Sequence, residues 1–173
     1  AYGFFLDEVK NQFEKVKGID ISDDAINYAN NVLKLDATEA EFLAYQSDML
    51  FDVVCMWDTI EHLKEPQMYI EKLSKITPTG GLLAITTGDI NSFIARIRRK
   101  NWRLIHPPTH LHYFTKKTLK QLLEKYGYKV IHIEYCGFYR SLDFTLYNIL
   151  VLRSQLEWLY NLIKKWNFNY NYY

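Results

Sequence analysis

The stretch Phe51–Leu63, FDVVCMWDTIEHL, sets an aspartate, a glutamate and a histidine directly after an apolar run. Asp58, Glu61 and His62 are spaced i, i+3 and i+4, which on a helix puts all three on one face. Such a group can serve as acid and base, or hold a hard divalent ion with substrate oxygens. Three ligands from one helix rarely complete a metal site unaided, so no metal is expected. A second group follows in WRLIHPPTHLHYF, where His106, His110, His112 and Tyr113 flank a proline pair and Arg103 precedes them. The spacing His-x-x-x-His-x-His suggests zinc, but no cysteine or carboxylate joins it locally. General-base, substrate-orienting or loop-fixing roles fit better, with His110 the preferred base. The basic run Arg96, Arg98, Arg99, Lys100 and Arg103 is ordinarily a solvated helix face. Here it leads into the histidine loop and suits a phosphate-bearing ligand, such as a nucleotide sugar or lipid-linked glycan.

These groups need elements to hold them. Phe51–Met56 reads as a buried strand, and ligands of open α/β sheets sit at the carboxyl ends of strands. Upstream, the spacing of Phe5, Val9, Phe13 and Val16 predicts a helix over Gly3–Val16. A short strand, Val16–Asp20, ends in a carboxylate. An acidic residue about that far past a glycine turn is the type that binds ribose hydroxyls, though Asp20 also reads as a plain loop residue. Ser22 is an N-cap for a helix to about Leu33, with Ala25, Ala29, Val32 and Leu33 inward. Ala37–Glu41 is a short strand. Asp58–Leu63 begins a helical segment that Pro66 restarts, with Ile70, Leu73 and Ile76 as its stripe. Leu82–Thr87 is an apolar strand after the turn Pro78-Thr79-Gly80-Gly81. Asn91–Lys100 reads as a helix and Trp102–Phe114 as irregular. Thr115 caps a helix that Gly127 stops. Tyr128–Tyr135 alternates like a strand, and Ser141–Trp166 is a long amphipathic helix or helix pair. This alternation predicts an α/β fold, a mostly parallel sheet flanked by helices.

The totals exclude little. The chain has 173 residues, enough for one domain with a core. Lys and Arg number 21 against 20 Asp and Glu, so net charge favours no nucleic-acid partner. No stretch is long and apolar enough to span a membrane, and AYGFFLDEVK has no signal-peptide pattern. Cys55 and Cys136, lying in or beside strands, read as buried reduced thiols of a cytoplasmic protein.

Taken in order, AYGFFLDE, VKGIDIS, EAEF, FDVVCMWDTIEHL, PTGGLLAITT and HLHYFTKKTLKQLLEKYGYKV resemble the class I S-adenosylmethionine-dependent methyltransferases over most of residues 1–135. WDTIEHL and the histidine loop resemble a bacterial branch acting on sugars, cell-surface polysaccharides or small metabolites. The acidic-x-x-Glu-His pattern resembles that of quinone-pathway O-methyltransferases, for which a metal role has been proposed. The resemblance implies a Rossmann-like domain over 1–173, with 141–173 as a C-terminal helical extension. It implies S-adenosylmethionine as cofactor and a small-molecule or glycan acceptor. Ala1 and Gly3 would end the glycine-rich loop, Asp20 would take the ribose hydroxyls, and Ile21 would pack on the adenine. Glu41 and the backbone of Phe42 would lie at the adenine edge, and Met56 and Trp57 on the methionine side. Glu61, His62 and His110 would be catalytic, with Asp58, Arg103, His106, His112 and Tyr113 lining the acceptor. The family's first strand should precede Ala1 and its last strand should follow the long helix, so the resemblance implies a chain cut at both ends. The aromatic helix over Leu142–Trp166 reads as core, a homodimer face or a membrane-surface helix, with core plus dimer contact favoured. Two other classes remain open: a Rossmann-type NAD-binding oxidoreductase and a non-catalytic, methyltransferase-like interaction module.

Overall fold

The computed structural model describes residues 1–47, 49–136, 146–147, 150–151 and 155–165. They divide into two units, Ala1–Ile131 and His132–Tyr173.

The first unit runs α1 (Phe4–Val9), β1 (Gly18–Asp20), α2 (Asp23–Asn31), β2 (Ala37–Glu39), β3 (Val53–Trp57), a 3-10 turn (Ile60–His62), α3 (Pro66–Ile76), β4 (Leu82–Thr86), α4 (Phe93–Arg98), a second 3-10 turn (Arg99–Asn101) and α5 (Lys116–Lys125). β1 pairs in parallel with β2, Gly18 opposite Ala37 and Asp20 opposite Glu39. β3 pairs in parallel with β4, from Val53 opposite Leu82 to Trp57 opposite Thr86. Parallel neighbours need a crossover, and α2 and α3 supply the two. The architecture is the expected α/β, Rossmann-like one. The sheet differs from a single continuous one: the described strands form two pairs, because no described strand joins β1 to β3 by hydrogen bonds.

Local chemistry explains most boundaries. The Ser22 side chain accepts from the Ala25 N–H, and Asp23 and Asp24 occupy the positive end of α2. Ser22 and Thr115 are both N-caps, and Thr115 forms a reciprocal capping box with Thr118. Pro66 opens α3, and Gly127 adopts φ 87° just past α5.

α1 is shorter than its periodicity predicts. It ends at Val9, and Phe5 and Phe13 stay 44% and 45% exposed. An apolar stripe extends a helix only where a partner covers it, and none of α1's residues is buried. On α2, Ala25, Ile26 and Ala29 face inward, while the expected Val32 is 58% exposed. The expected strand over Tyr128–Tyr135 is not formed. Its alternation is present, yet Ile131 is exposed, as are Ile133 and Tyr135, and this backbone pairs with no described strand. Cys136 is accordingly exposed rather than buried, while Cys55, inside β3, is half-buried and its thiol is pushed up by desolvation.

The core of this unit is Ile60, Ile70, Leu73 and Phe114, with Met56, Ile85 and Leu122 packed against it. It therefore joins β3, β4, α3 and α5 beneath the segment that carries Glu61 and His62. In the second unit, α6 (Glu157–Lys165) ends in Lys164 and Lys165, and Tyr147 meets Tyr160 edge-on at 5.3 Å. Within the long helix expected over Ser141–Trp166, Gln155 has φ 53° and residue 156 is non-helical just before α6. Residues 141–145, 148–149, 152–154 and 166, and the closing NFNYNYY, lie outside the described residues. No described helix is long and apolar enough to cross a membrane.

Ile70 is fully buried, so Ile70→Ala should cost about 2–5 kcal/mol through lost burial and the cavity left behind. Urea unfolding followed by circular dichroism measures it, and a cost under about 1 kcal/mol would place the core elsewhere.

Candidate functional site

Two groups of side chains gather at the carboxyl ends of the strands. The first lies around Asp20 and Trp57. Asp20 closes β1, and its carboxylate accepts the Ser22 N–H at 2.9 Å and pairs with the Ala1 ammonium. Ile21 follows, 76% exposed, an apolar side chain beside a carboxylate. Trp57 closes β3, 40% exposed, with the Phe5 ring edge-on at 5.1 Å. The segment that opens α1 therefore reaches both strand ends. Gly3, which caps α1, has φ 83°, and a Cβ there would sit 2.8 Å from Leu35 and 3.1 Å from Ala29. Its missing side chain is required by backbone shape and by the seat on α2, as well as leaving the loop thin. Strand alternation separates Met56 from Trp57: Met56 packs against the core, and the Trp57 ring stays open.

Glu41 and Phe42 stand just after β2 and are fully engaged. Glu41 takes the Tyr69 hydroxyl on one oxygen at 2.5 Å and the Ala44 N–H on the other at 2.9 Å. Phe42 stacks on Tyr69 at 5.7 Å. The Lys72 ammonium ties down the turn by donating to the carbonyls of Phe42, Leu43 and Tyr45. The Tyr69 bond holds the Glu41 carboxyl below its usual range. Burial, then Glu41, pushes the Tyr69 phenol up to about 12.

The second group is built by the loop after α4. The Glu61 carbonyl accepts the N–H groups of Leu111 and His112 at 2.8 and 3.1 Å. His112 Nε2–H donates to the Lys64 carbonyl at 3.2 Å, and His62 Nδ1–H donates to the Thr109 carbonyl at 2.8 Å. These bonds lay residues 109–112 along residues 61–64. They bring His62 and His110 ring to ring, 4.6 Å apart and edge-on. A carbonyl can only accept, so the proton of neutral His62 sits on Nδ1 and its Nε2 lone pair is left basic. His106 is tied to Thr109, whose hydroxyl stands 2.6 Å from its Nδ1 and donates to its carbonyl.

The Glu61 carboxylate is 4% exposed and accepts the Thr87 hydroxyl at 2.9 Å. It shares a small cleft with His110 and His112, walled by Trp102, Leu104 and Tyr113. Gly88 lets that wall approach, since a Cβ there would lie 2.6 Å from Leu104 and 3.1 Å from Trp102. Donor atoms of Glu61, His62 and His110 all lie within 4.8 Å of one another, close enough to share one divalent cation. The hydrogen bonds to Thr87 and Thr109 engage Glu61 Oε2 and His62 Nδ1.

Asp58 does not join this group. The expected helical face over 58–62 is replaced by a three-residue 3-10 turn preceded by Asp58 at φ 44°. That backbone turns the carboxylate to Thr86, whose hydroxyl donates to Oδ1 at 3.0 Å and accepts the Asp58 N–H at 2.9 Å. The backbone of a non-glycine residue held in the left-handed region stores strain, of the kind found at functional strand ends. Arg103 is exposed at the start of the loop. Thr87 and Gly88 were not singled out from the sequence. The signal was there in Thr86-Thr87-Gly88, hydroxyls and a glycine closing an apolar strand.

A family profile described as a methyltransferase domain matches residues 1–133. The chain belongs to the class I S-adenosylmethionine-dependent methyltransferase family. S-adenosylmethionine is the methyl donor of that family, and the NAD-binding alternative is set aside by the match. The mitochondrial ubiquinone biosynthesis O-methyltransferase of Dictyostelium discoideum is 30% identical over 118 residues, covering 66% of this chain and 34% of that protein. The chain thus spans about a third of the relative's length. Among solved structures, a SAM-dependent methyltransferase of Thermotoga maritima superposes with TM-score 0.61 at 22% identity, over 75% of this chain and 60% of that one. The N-methyltransferase NodS of Bradyrhizobium japonicum, solved with S-adenosyl-L-homocysteine, gives TM-score 0.55 at 19% identity, over 72% of this chain and 60% of that one. These two likenesses speak for the fold.

The Glu41–Tyr69 bond has a pH signature. A phenol whose folded pKa is raised stabilises the fold fully below pH 10 and loses that contribution as pH climbs toward about 12. The wild-type melting temperature should therefore fall more between pH 10 and 12 than that of Tyr69→Phe. Parallel declines in both proteins would refute the bond's contribution.

Proposed function

We propose that this chain carries methyl transfer from S-adenosylmethionine to a hydroxyl of a small-molecule or glycan acceptor. The observation that carries the reading is the pairing of an open cofactor-type ledge, Asp20, Ile21 and Trp57, with a basic His62 Nε2 beside a buried carboxylate. The donor set fits the cofactor: a carboxylate for vicinal hydroxyls, an exposed aliphatic side chain for a base plane, and an indole face for a sulfonium. S-adenosylmethionine supplies a methyl group already activated on sulfur. The chain's task is then positioning, which converts an encounter into an aligned displacement.

Asp20 and Ile21 hold the nucleoside part, and Trp57 attracts the positive sulfur. On the acceptor side, His62 takes the hydroxyl proton at Nε2 while the Thr109 carbonyl keeps Nδ1–H oriented. His110, packed on His62, orients the acceptor, and Glu61 stabilises the imidazolium that forms. Trp102, Leu104 and Tyr113 keep water from the cleft. The sequence alone favoured His110 as base; the fixed tautomer of His62 favours His62 instead. Oxygen as the methylated atom agrees with the Dictyostelium relative, an O-methyltransferase by name. A phosphate on the acceptor would meet Arg99 and Arg103, both exposed.

Calorimetric titration with S-adenosylhomocysteine tests the cofactor half. Asp20→Asn should weaken binding about tenfold or more, the value of a charge-assisted bond to a hydroxyl. Absence of binding by the wild-type chain would defeat this half and favour a non-catalytic module. The acceptor half is read as S-adenosylhomocysteine release with hydroxylated acceptors. His62→Gln should slow release by about 10²–10⁴-fold and leave cofactor affinity unchanged. A variant as fast as wild type removes His62 from the chemistry.

A further inference from the structure

We propose that α4 and the turn after it form a docking surface for an anionic lipid bilayer. The helix is inside out by the usual rule for a surface helix, whose bulky apolar residues face the core. In Phe93–Arg98 it is the small Ala95 that is buried, while Phe93, Ile94 and Ile97 are 76%, 54% and 62% exposed. Positions 93, 94 and 97 share one helical face. Ser92 fixes that orientation by capping the helix through the Ala95 N–H.

The charge around this face has one sign. Arg96, Arg98, Arg99, Lys100 and Arg103 are all exposed, and among the described residues none has a carboxylate partner. From Ile90 to Leu123 the sequence contains no aspartate or glutamate, and three further lysines follow the five cations. The chain as a whole is nearly neutral, at +1, so this concentration is local.

An anionic bilayer satisfies both features. A second copy would set cations against cations. A nucleic acid would take the cations but leave a phenylalanine and two isoleucines without an apolar partner. An anionic bilayer takes both: the apolar tips enter the boundary between headgroups and acyl chains, and the arginines and lysine remain among the phosphates. The same turn leads through Trp102 to the wall of the acceptor cleft, so docking would bring that cleft to the membrane surface. The inference shares Arg99 and Arg103 with the acceptor side of the methyl-transfer reading and uses none of the residues assigned to the cofactor.

The test is co-sedimentation of the full chain with phosphatidylcholine vesicles, with and without phosphatidylglycerol. Binding is expected to the mixed vesicles and about tenfold or more weaker to phosphatidylcholine alone. The double variants Ile94→Glu/Ile97→Glu and Arg96→Glu/Arg98→Glu should each lose about tenfold or more, with circular dichroism and S-adenosylhomocysteine binding as in wild type. Inorganic phosphate at constant ionic strength should not compete, which separates a bilayer from a free-phosphate site. Equal binding to both vesicle types, no binding to either, or full binding by the isoleucine variant overturns the proposal. So does tighter binding to a single-stranded oligonucleotide that the isoleucine variant retains.

Discussion

A carboxylate taken out of water must find donors or lose its charge, and Glu61 is almost completely buried. Much of the site follows from how that requirement is met. The Thr87 hydroxyl, at the end of β4, takes the carboxylate, so β4 and the 3-10 turn after β3 are held in register by a side-chain bond as well as by the strand ladder. The backbone of the same residue draws in the histidine loop, since one carbonyl accepts two consecutive N–H groups at Leu111 and His112. A carbonyl has two lone pairs, and using both on one loop fixes that loop's height and direction. His62 and His110 become neighbours as a result, although 48 positions separate them (110 − 62).

Beneath this lies Ile60, fully buried and adjacent to Glu61 in the chain. One residue of the turn is thus an apolar anchor, the next a buried acid, the next an exposed base. Successive residues of a helical turn point in widely separated directions, which makes that division. An α-helix over the same residues would have lined up Asp58, Glu61 and His62. The positive φ of Asp58 prevents that alignment and commits its carboxylate to Thr86.

The ledge around Asp20 and Trp57 is made differently. Its groups come from strand ends that share no hydrogen bond; Ala1, before α1, pairs with Asp20, and Phe5, in the first turn of α1, meets Trp57. Glycine at position 3 allows that segment to lie against Leu35 and Ala29. Turn 42–45 is fixed by one lysine and one tyrosine–glutamate bond, which leaves Glu41 with both oxygens engaged within the protein.

Much of this was legible from residue order alone. Ser22, Pro66, Thr115 and Gly127 mark helix ends because capping and backbone restriction act within a few residues. The apolar runs of β3 and β4 and the crossover helices between strands follow from periodicity, and with them the α/β fold class, while the family rested on the resemblance of motifs such as FDVVCMWDTIEHL. Periodicity misled where burial had to decide: the helix predicted to Val16 stops at Val9, and the alternation of residues 128–135 yields no strand, because a helix face needs a cover and a strand needs a neighbour. The tertiary structure alone decided that Glu61 is buried and Asp58 is not, that Thr87 and Gly88 belong to the site, and that His62 holds its proton on Nδ1. Each depends on which distant carbonyl or hydroxyl arrives within hydrogen-bonding reach, and long-range contact of that kind leaves no periodic trace in the chain.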